Sequence, residues 1–255
     1  MEQKTFLTVA LEAAQAAEKI IMDYFINGKE WTRKMDLSPV TIADIESEKM
    51  IKKIIRSHFP DHGFIGEEGW EENETSNYKW IIDPIDGTKN YTRKIPLFAT
   101  LIGLMYKDEI ILWVSNAPAM WECLWAEKWQ GAFCNGKKIT VSSLEKIEET
   151  YCCFGGIKYF AKDGKINALL KLNNLTLGQR GIGDFWCYNL LAQGKIDIMT
   201  EARVKFWDIA AVKVIVEEAG GKCTDIFWAP ITQKSIGIIA TNGKLHHEVV
   251  QIFNN

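Results

Sequence analysis

The N-terminal part of the chain is patterned as two amphipathic helices. Apolar residues recur at helical spacing within the first 26 residues, namely Phe6, Val9, Ala10, Ala13, Ala17, Ile20, Ile21 and Tyr24. Residues 28–40 are polar and contain a proline, so we predict an irregular segment there that acts as a mobile flap. The second helix is predicted to open at Thr41 or Asp44 and to end before Pro60, because proline cannot continue a helix.

Residues 63–139 are patterned mainly as β-strands. An apolar run at 64–66 predicts a short strand, and the run at 80–82 predicts another. We expect the latter, WIIDPIDG, to be a strand that runs into a turn, because the stretch WIIDPIDGTKNY is too polar for a buried strand and too broken for a helix. From 97 to 139, apolar runs alternate with the turn signals KDE and NG, which predicts antiparallel strands.

Beyond residue 140 helical and strand patterns alternate. Strands are predicted within 151–157, 196–201, 222–228 and 235–242, and helices within 166–172, 183–195, 207–221 and 245–253. The mixture predicts an α/β layered architecture. We expect a single domain, residues 1–255, with an internal seam near residue 140.

The bulk composition excludes several classes of protein. The 255 residues are 47% hydrophobic and 25% charged, and their formal net charge of −3 gives no general attraction to nucleic acid or to an anionic membrane. No apolar run near the start has the length of a signal or membrane helix. The six cysteines show no CxxC spacing, which favours reduced thiols. We therefore expect a cytoplasmic protein that binds neither nucleic acid nor membrane.

The segment WIIDPIDGTKNY places Asp83 and Asp86 beside Gly87 and Thr88. Two carboxylates held close together repel each other unless a cation lies between them or one is protonated. Their hard oxygen atoms suit Mg²⁺, Mn²⁺ or Ca²⁺. Backbone N–H groups at a Gly-Thr turn can bind an anion, so the segment predicts metal-assisted phosphoryl chemistry. Asp and Gly also favour ordinary turns, so this segment alone leaves a purely structural role open.

Two further acidic segments point the same way. Glu67 and Glu68 stand between glycines after an apolar run, a pattern that is also typical of a surface turn. Asp208 stands at the start of a predicted helix, where N-capping would explain it equally well.

Taken together, GEEGW, WIIDPIDGTKNY and WDIAAVKVIVEEAGG resemble the signature motifs of the inositol monophosphatase family, in the right order and over nearly the whole chain. The resemblance implies a five-layer αβαβα sandwich of the inositol monophosphatase and fructose-1,6-bisphosphatase type. It also implies a homodimeric phosphomonoesterase that uses two or three Mg²⁺ ions, for which Mn²⁺ can substitute.

The resemblance also assigns roles to particular residues. It implies metal ligands at Glu67, Asp83, the Ile85 carbonyl, Asp86 and Asp208, with Asp83 bridging two ions. Glu67 and Thr88 would position the attacking water, and Asp44 would hydrogen-bond Thr88, although Asp44 also suits an ordinary helix N-terminus. Glu68 would lie just outside the metal ligands, and Lys34 of the flap would approach the ions. Two ions can stabilise both the attacking and the leaving oxygen, so a phosphoenzyme is unnecessary.

Specificity is expected to lie in the second half of the chain. The sequence RGIGDFW resembles the histidinol-phosphatase branch of the family, as do SPVTIAD, FIGEEGW and TRKIPLFATLIGLM. Glu201 and Asp184 would pair with cationic groups of the substrate, and Arg180 would retain its phosphate end or shape the pocket. Alternatively, Asp184 caps a helix, Phe185 and Trp186 are core residues, and Arg180 forms a surface ion pair. The predicted substrate-binding residues are Asp86, Gly87, Thr88, Lys89, Arg180, Asp184, Glu201 and Asp208.

The sequence thus predicts a Mg²⁺-dependent phosphomonoesterase that hydrolyses histidinol phosphate, a small phosphorylated metabolite. An inositol-1-monophosphatase, or a broad sugar and polyol monophosphatase, is the alternative. A nucleotide bisphosphatase is less favoured, because only Lys89, Arg93 and Lys94 offer basic charge near the acidic motif. A metal-binding or phosphate-binding regulator without turnover is disfavoured, because all four motif acids are present.

Overall fold

The computed structural model describes residues 4–28, 31–33, 39–66, 71–204, 206–232 and 234–254. The chain divides into two compact units, Met1–Glu127 and Lys128–Asn255. The boundary thus falls before residue 140, where the seam is predicted.

The first unit combines helices with a mixed sheet. Its elements are α1 (Phe6–Asn27), β1 (Trp31–Arg33), β2 (Pro39–Thr41), α2 (Ile42–His58), β3 (Gly63–Gly66), β4 (Glu71–Glu72), β5 (Tyr78–Asp86), α3 (Thr88–Tyr91), β6 (Ala99–Tyr106), β7 (Glu109–Ala117) and β8 (Glu122–Glu127). Within this unit the strand order is β8-β7-β6-β5-β3-β4. The β3–β5 pair is parallel and the other neighbours are antiparallel.

The two N-terminal helices are confirmed and share one core with the sheet. Thr5 caps α1 by accepting a hydrogen bond from the N–H of Thr8 at 3.2 Å, which satisfies one of the free donors at a helix start. The apolar stripe of α1, for example Val9 and Ile21, lies in one buried cluster with Ile51 of α2 and Trp80 of β5. Burial of this stripe stabilises α1 far more than helix propensity does.

The segment between the two helices is more regular than the sequence suggested. Trp31–Arg33 and Pro39–Thr41 pair as antiparallel strands, in the register Trp31 with Thr41 and Arg33 with Pro39. The prediction of an irregular segment is therefore wrong for these residues. Trp, Thr and Val favour extended backbone, and the polar residues around them hid that preference. The predicted flap residue Lys34 lies outside the described residues.

The second unit contains the remaining elements. They are β9 (Gly131–Cys134), β10 (Lys137–Ile139), β11 (Tyr151–Phe154), α4 (Ile157–Lys162), α5 (Ile166–Leu175), β12 (Gly178–Arg180), α6 (Asp184–Ala192), β13 (Ile198–Ala202), α7 (Phe206–Glu218), β14 (Lys222–Asp225), β15 (Gly237–Thr241) and α8 (His246–Asn254). Its five-stranded sheet has the order β12-β11-β13-β15-β14. Strand β11 is parallel to both its neighbours, whereas β15 is antiparallel to β13 and β14.

The predicted turn signals are confirmed in both units. Lys107 and Asp108 connect β6 to β7, and Lys107 has a φ of 55°. Asn135 and Gly136 connect β9 to β10 with φ values of 49° and 77°. Two residues at positive φ match the right-handed twist of the flanking strands, which is why Asn-Gly is a strong hairpin signal.

The α/β architecture predicted from the sequence is confirmed, with two mixed sheets and eight α-helices among the described residues. Some short elements were not predicted, notably the six-residue helix α4 and the three-residue strand β12. All six cysteines are free thiols. No helix in the described part of the chain is both long and apolar enough to span a membrane.

Candidate metal and phosphate site

The DPIDGT turn, residues 83–88, lies at the end of the buried strand β5. As predicted, the strand runs through WIIDPID into the turn, and it stays buried as far as Ile85 although the segment looked too polar for a buried strand. Its register with β6 shifts between Asp83 and Asp86, which pair with Leu101 and Ala99, respectively. A bulge of this kind accommodates Pro84, which has no N–H to give to the ladder, and it redirects the side chains that follow.

Asp83 is a buried carboxylate that is held by its own turn. Only 4% of the residue is exposed, and its Oδ1 accepts a hydrogen bond from the N–H of Ile85 at 3.0 Å. On the other side of the turn, Thr100 Oγ1 donates to the Pro84 carbonyl at 3.0 Å. A buried negative charge is costly unless it is paired, hydrogen-bonded or bound to a cation. A fixed, buried carboxylate therefore fits a hard divalent ion.

The Ile85 carbonyl is a second hard donor on the same turn. It accepts a hydrogen bond from Thr88 Oγ1 at 2.9 Å. A carbonyl oxygen has two lone pairs, so this bond leaves one for a cation. The Thr88 hydroxyl thus donates its one hydrogen bond to the Ile85 carbonyl. The predicted bond between Asp44 and Thr88 stays a prediction.

Gly87 makes the tight reversal between β5 and α3 possible. Its φ is 82°, in the left-handed region, and a Cβ at this position would lie 2.6 Å from the Leu97 carbonyl oxygen. The Gly87 carbonyl then accepts the N–H groups of Asn90 at 2.8 Å and Tyr91 at 3.0 Å, which starts α3. Lys89 follows with an exposed side chain. The first N–H groups of a helix have no acceptor within it, as the predicted anion site requires.

Asp44, in α2, lies near Tyr91 of α3. It is 8% exposed and lies in the first turn of the helix. Burial, followed by the nearby charge of Asp44, raises the pKa of the Tyr91 phenol. Tyr91 in turn donates its hydroxyl to the Ile21 carbonyl at 2.8 Å. The first unit thus brings Asp44 close to the α3 end of the DPIDGT turn.

The remaining predicted metal ligands stay untested by the geometry. Glu67 and Glu68 lie outside the described residues, as does the side chain of Asp208, whose backbone belongs to the first turn of α7. Within the described part of the chain, no group of three or more His, Cys, Asp or Glu residues could hold a metal ion. Of the predicted ligands, Asp83, the Ile85 carbonyl and Asp86 belong to the described residues and lie on one stretch of β5.

In the second unit, Glu201 of β13 lies against two glycines and a tyrosine. Its Oε2 accepts the hydroxyl of Tyr188 at 2.9 Å. A Cβ on Gly155 would lie 2.3 Å from Glu201 Oε1, and one on Gly183 would lie 3.3 Å from the same atom. We call these four residues the Glu201 seat. The sequence singled out Glu201 but not Tyr188, whose partner is 13 residues away and becomes apparent only in the fold.

The other predicted substrate residues of this unit occupy different environments. Asp184 is half-buried and is the first residue of α6, with a φ of 54°, while Gly183 is the N-cap. Asp184 is therefore not the capping residue that the alternative proposed. Phe185 is 2% exposed and belongs to the core, whereas Trp186 is only partly buried.

Arg180 is exposed on β12, at the edge of the five-stranded sheet. Its guanidinium donates to the Gln179 carbonyl at 2.7 Å and lies 5.6 Å from the centroid of the Tyr151 ring. Cation–π contact with the ring and the local hydrogen bond both favour this orientation. These contacts support a structural role for Arg180 and leave its role toward phosphate a prediction.

The fold and the acidic turn define an α/β layered protein with donors suited to a hard cation. Residues 2–255 match the model of the inositol monophosphatase family, and the chain belongs to that family. It is 33% identical over 250 residues to a histidinol-phosphatase of Chlorobaculum parvum, covering 98% of this chain and 96% of the relative. It is 35% identical to a fructose-1,6-bisphosphatase/inositol-1-monophosphatase of Thermotoga maritima, covering 84% and 82%.

Among solved structures, an IMPase of Thermotoga maritima superposes with a TM-score of 0.88 at 32% identity, covering 97% of this chain and 96% of the other. This likeness confirms the predicted layered fold of the inositol monophosphatase type. Family membership makes the protein a phosphoric monoester hydrolase that acts on small phosphorylated substrates. Members of the family are metal-dependent phosphatases, so the hard donors of the DPIDGT turn agree with the family chemistry.

Proposed function

We propose that this enzyme hydrolyses L-histidinol phosphate to L-histidinol and inorganic phosphate, with Mg²⁺ as its cofactor. The observation that carries the choice of substrate is the carboxylate of Glu201, which a buried tyrosine holds next to the RGIGDFW segment. Histidinol phosphate has an α-ammonium group that such a carboxylate can bind. The histidinol-phosphatase of Chlorobaculum parvum supports the choice by its similarity along nearly the whole chain.

We propose Glu67, Asp83, the Ile85 carbonyl, Asp86 and Asp208 as the metal ligands. The carboxylate of Asp83 supports this set, because it is buried, held by its own turn, and offers the hard oxygen atoms that Mg²⁺ prefers. Two or three Mg²⁺ ions, or Mn²⁺ in their place, would be held by oxygen atoms alone. When bound, the ions stabilise charge on the phosphoryl oxygens and lower the pKa of the attacking water.

The residues of the chain orient that water and receive its proton. The Thr88 hydroxyl already donates a hydrogen bond to the Ile85 carbonyl, so its oxygen can only accept a further hydrogen bond. A water that donates to Thr88 and to the Glu67 carboxylate would turn a lone pair toward phosphorus, and Glu67 would take up its proton. Asp44 would stabilise this arrangement from the start of α2.

Binding of the substrate is divided between its two ends. The backbone of Gly87, Thr88 and Lys89 would bind the phosphate, beside Asp86 and Asp208. Glu201 and Asp184 would pair with the cationic alcohol, and Arg180 would retain the phosphate end or shape the pocket. The phosphate contacts set the reaction, and the carboxylates of the second unit set the preference among esters.

A substrate panel tests the proposal. Phosphate release is measured for histidinol phosphate, inositol 1-phosphate, glycerol 2-phosphate and adenosine 3′,5′-bisphosphate, each with Mg²⁺ and with EDTA. We expect kcat/KM for histidinol phosphate to exceed the others by about tenfold or more, because it alone carries an ammonium group that can pair with the Glu201 carboxylate. A tenfold preference for inositol phosphate would contradict the proposed substrate, and turnover that survives EDTA would contradict the metal chemistry.

An inositol-1-monophosphatase or a broad polyol monophosphatase is the second candidate. The Thermotoga maritima relative, at 35% identity, carries the name fructose-1,6-bisphosphatase/inositol-1-monophosphatase and supports it. A carboxylate at position 201 can also accept hydrogen bonds from polyol hydroxyls. Comparable rates for inositol 1-phosphate and histidinol phosphate in the panel would favour this candidate.

We also propose that the enzyme is a cytoplasmic homodimer. The free state of all six cysteines is consistent with a reducing compartment. Light scattering coupled to gel filtration measures the mass in solution, and a single species at the 29.1 kDa of one chain would contradict the dimer.

A further inference from the structure

Tyr188 is a deeply buried hydrogen-bond partner of Glu201. The residue is 4% exposed, on α6, and its hydroxyl reaches Glu201 Oε2 at 2.9 Å. Burial, together with the Glu201 charge, raises the pKa of the phenol well above its usual value. The hydroxyl therefore keeps its proton at every pH at which the enzyme would work, and it acts as a permanent donor to the carboxylate.

The two glycines define where the carboxylate can lie. A Cβ on Gly155 would lie 2.3 Å from both Cγ and Oε1 of Glu201, and the two glycines themselves come close, since a Cβ on Gly183 would lie 3.4 Å from the Gly155 Cα. No real Cβ approaches another heavy atom to 2.3 Å, so Glu201 can occupy this position only because residue 155 has no side chain. Oε2 is thus fixed by a hydrogen bond, and Oε1 by close packing.

A glutamate normally has three rotatable bonds and a substantial entropy to lose when it becomes ordered. In the Glu201 seat that cost is met when the protein folds, rather than when a ligand binds. A carboxylate that is already oriented binds a cationic ligand more tightly than a mobile one. Its two oxygens also lie in a fixed plane, which sets the direction from which an ammonium group can approach.

We propose that Tyr188 is a positioning residue, which acts with Gly155 to fix the Glu201 carboxylate for an ammonium group on the alcohol part of the substrate. This inference rests on the proposed function, because it assumes a cationic leaving alcohol. Part of the substrate specificity would then depend on Tyr188, a buried side chain that contacts Glu201. The charge-assisted bond between phenol and carboxylate is of the stronger kind.

The test compares two esters that differ only in the ammonium group. These are histidinol phosphate and its deamino analogue, 3-(imidazol-4-yl)propyl phosphate, both at pH 8, where the imidazole is neutral. The quantity measured is the ratio of their kcat/KM values for the wild type, Tyr188→Phe and Gly155→Ala. We expect each variant to lower this ratio by about tenfold, mainly through KM for the amino ester, as expected when a hydrogen bond to a charged group is lost.

Tyr159→Phe is the control, since it removes the hydroxyl of a tyrosine of the same unit that is partly buried and packs against the core. We expect the ratio for this variant to stay within about twofold of the wild-type value, because Tyr159 is not part of the Glu201 seat. The ratio does not depend on the fraction of active enzyme, because both esters are assayed on one preparation. An unchanged ratio for Tyr188→Phe would overturn the inference.

A second measurement separates this inference from the proposed function. If the wild type itself shows no preference for the amino ester, the proposed substrate is wrong. The contact is then tested without substrate, by urea unfolding of Tyr188→Phe, Glu201→Ala and the double variant. We expect the two substitutions to be coupled by about tenfold in the unfolding equilibrium constant. Additive effects would overturn the positioning role whatever the substrate is.

Discussion

The DPIDGT turn and the Glu201 seat both hold a carboxylate, but they are built in different ways. The turn is contiguous: residues 83–88 hold one another through Asx-type and Ser/Thr-type hydrogen bonds, such as the bond from the Ile85 N–H to Asp83. The seat draws on residues from 155 to 201: Gly155 follows β11, Gly183 is the N-cap of α6, Tyr188 lies within α6, and Glu201 is near the end of β13. The first is encoded locally, whereas the second exists only once the sheet has formed.

This difference has a consequence for mutation. A change within the turn alters donors and backbone that are directly next to each other, so it should act on chemistry. A change in the seat alters the neighbours of a single carboxylate, so it should act on the choice of substrate.

The largest effect is expected for Asp86→Asn. The variant keeps the shape of the side chain but removes a charge that we propose to bind metal, so several kcal/mol of transition-state stabilisation should be lost. We expect phosphate release at saturating Mg²⁺ to fall by about 10³-fold or more, with the thermal midpoint of unfolding nearly unchanged.

The control for this variant is Asp108→Asn, which neutralises an exposed acid in the β6–β7 hairpin of the same unit. Its turnover should match the wild type. Near-normal activity of Asp86→Asn, with Mg²⁺ binding by calorimetry intact, would show that the DPIDGT turn does not hold the ion.

The next effect is expected for Gly87→Ala. The substitution combines a left-handed φ of 82° with a Cβ placed 2.6 Å from the Leu97 carbonyl oxygen. Gly136→Ala is its control, because Gly136 has a φ of 77° and open space around its Cβ position. We expect the control to lose about 1 kcal/mol of unfolding free energy, from strain alone. Gly87→Ala should lose at least about 2 kcal/mol more and most of its turnover, because the backbone must shift.

Urea unfolding gives the unfolding free energy of the two variants, and phosphate release gives their turnover. Equal destabilisation of both would show that the close approach to Leu97 is relieved at no cost. A stable Gly87→Ala enzyme with full activity would contradict a role for this reversal in the phosphate site.

The same contrast explains how much of the protein its sequence predicts. The long helices α1 and α2 follow from apolar spacing, and the β9–β10 hairpin follows from Asn135-Gly136. The acidic residues of the DPIDGT turn could be predicted because they are close together in the sequence and form one motif. In each case the determinant is a short stretch of sequence whose local physics agrees with the final fold.

What the sequence did not predict depends on tertiary neighbours. The end of β5 looked too polar for a buried strand, because the bulge that accommodates Pro84 is formed with β6. Tyr188 looked like an ordinary helix residue, because its partner lies on another element. Gly155 carried no signal of its own, since its small size matters only once Glu201 packs on it. Distant pairs of this kind leave no local pattern.

The smallest effect concerns His246, a buried titratable residue of the second unit that is outside the seat and serves as a reference for it. Thr224 donates its hydroxyl to the Asp225 carbonyl, so it must accept from His246 Nε2 at 3.1 Å. Nε2 therefore carries a proton. In the neutral ring Nδ1 accepts a hydrogen bond from the hydroxyl of Thr241, which lies 3.1 Å away.

Burial, and then the charge of Lys222, lower the pKa of His246 from 6.5 to about 4. The unfolded chain therefore binds a proton near pH 6.5 that the folded chain refuses until about pH 4, so stability falls as the pH decreases through this window. We expect a loss of about 2.5 kcal/mol in unfolding free energy between pH 7.5 and 4.5, from this residue alone. His246→Gln should flatten that part of the pH profile, and His247→Gln, which changes an exposed histidine, should not. If the ratio of the two esters also changed in His246→Gln, the seat would be sensitive to the whole unit, and its specificity could not be assigned to Tyr188 and Gly155.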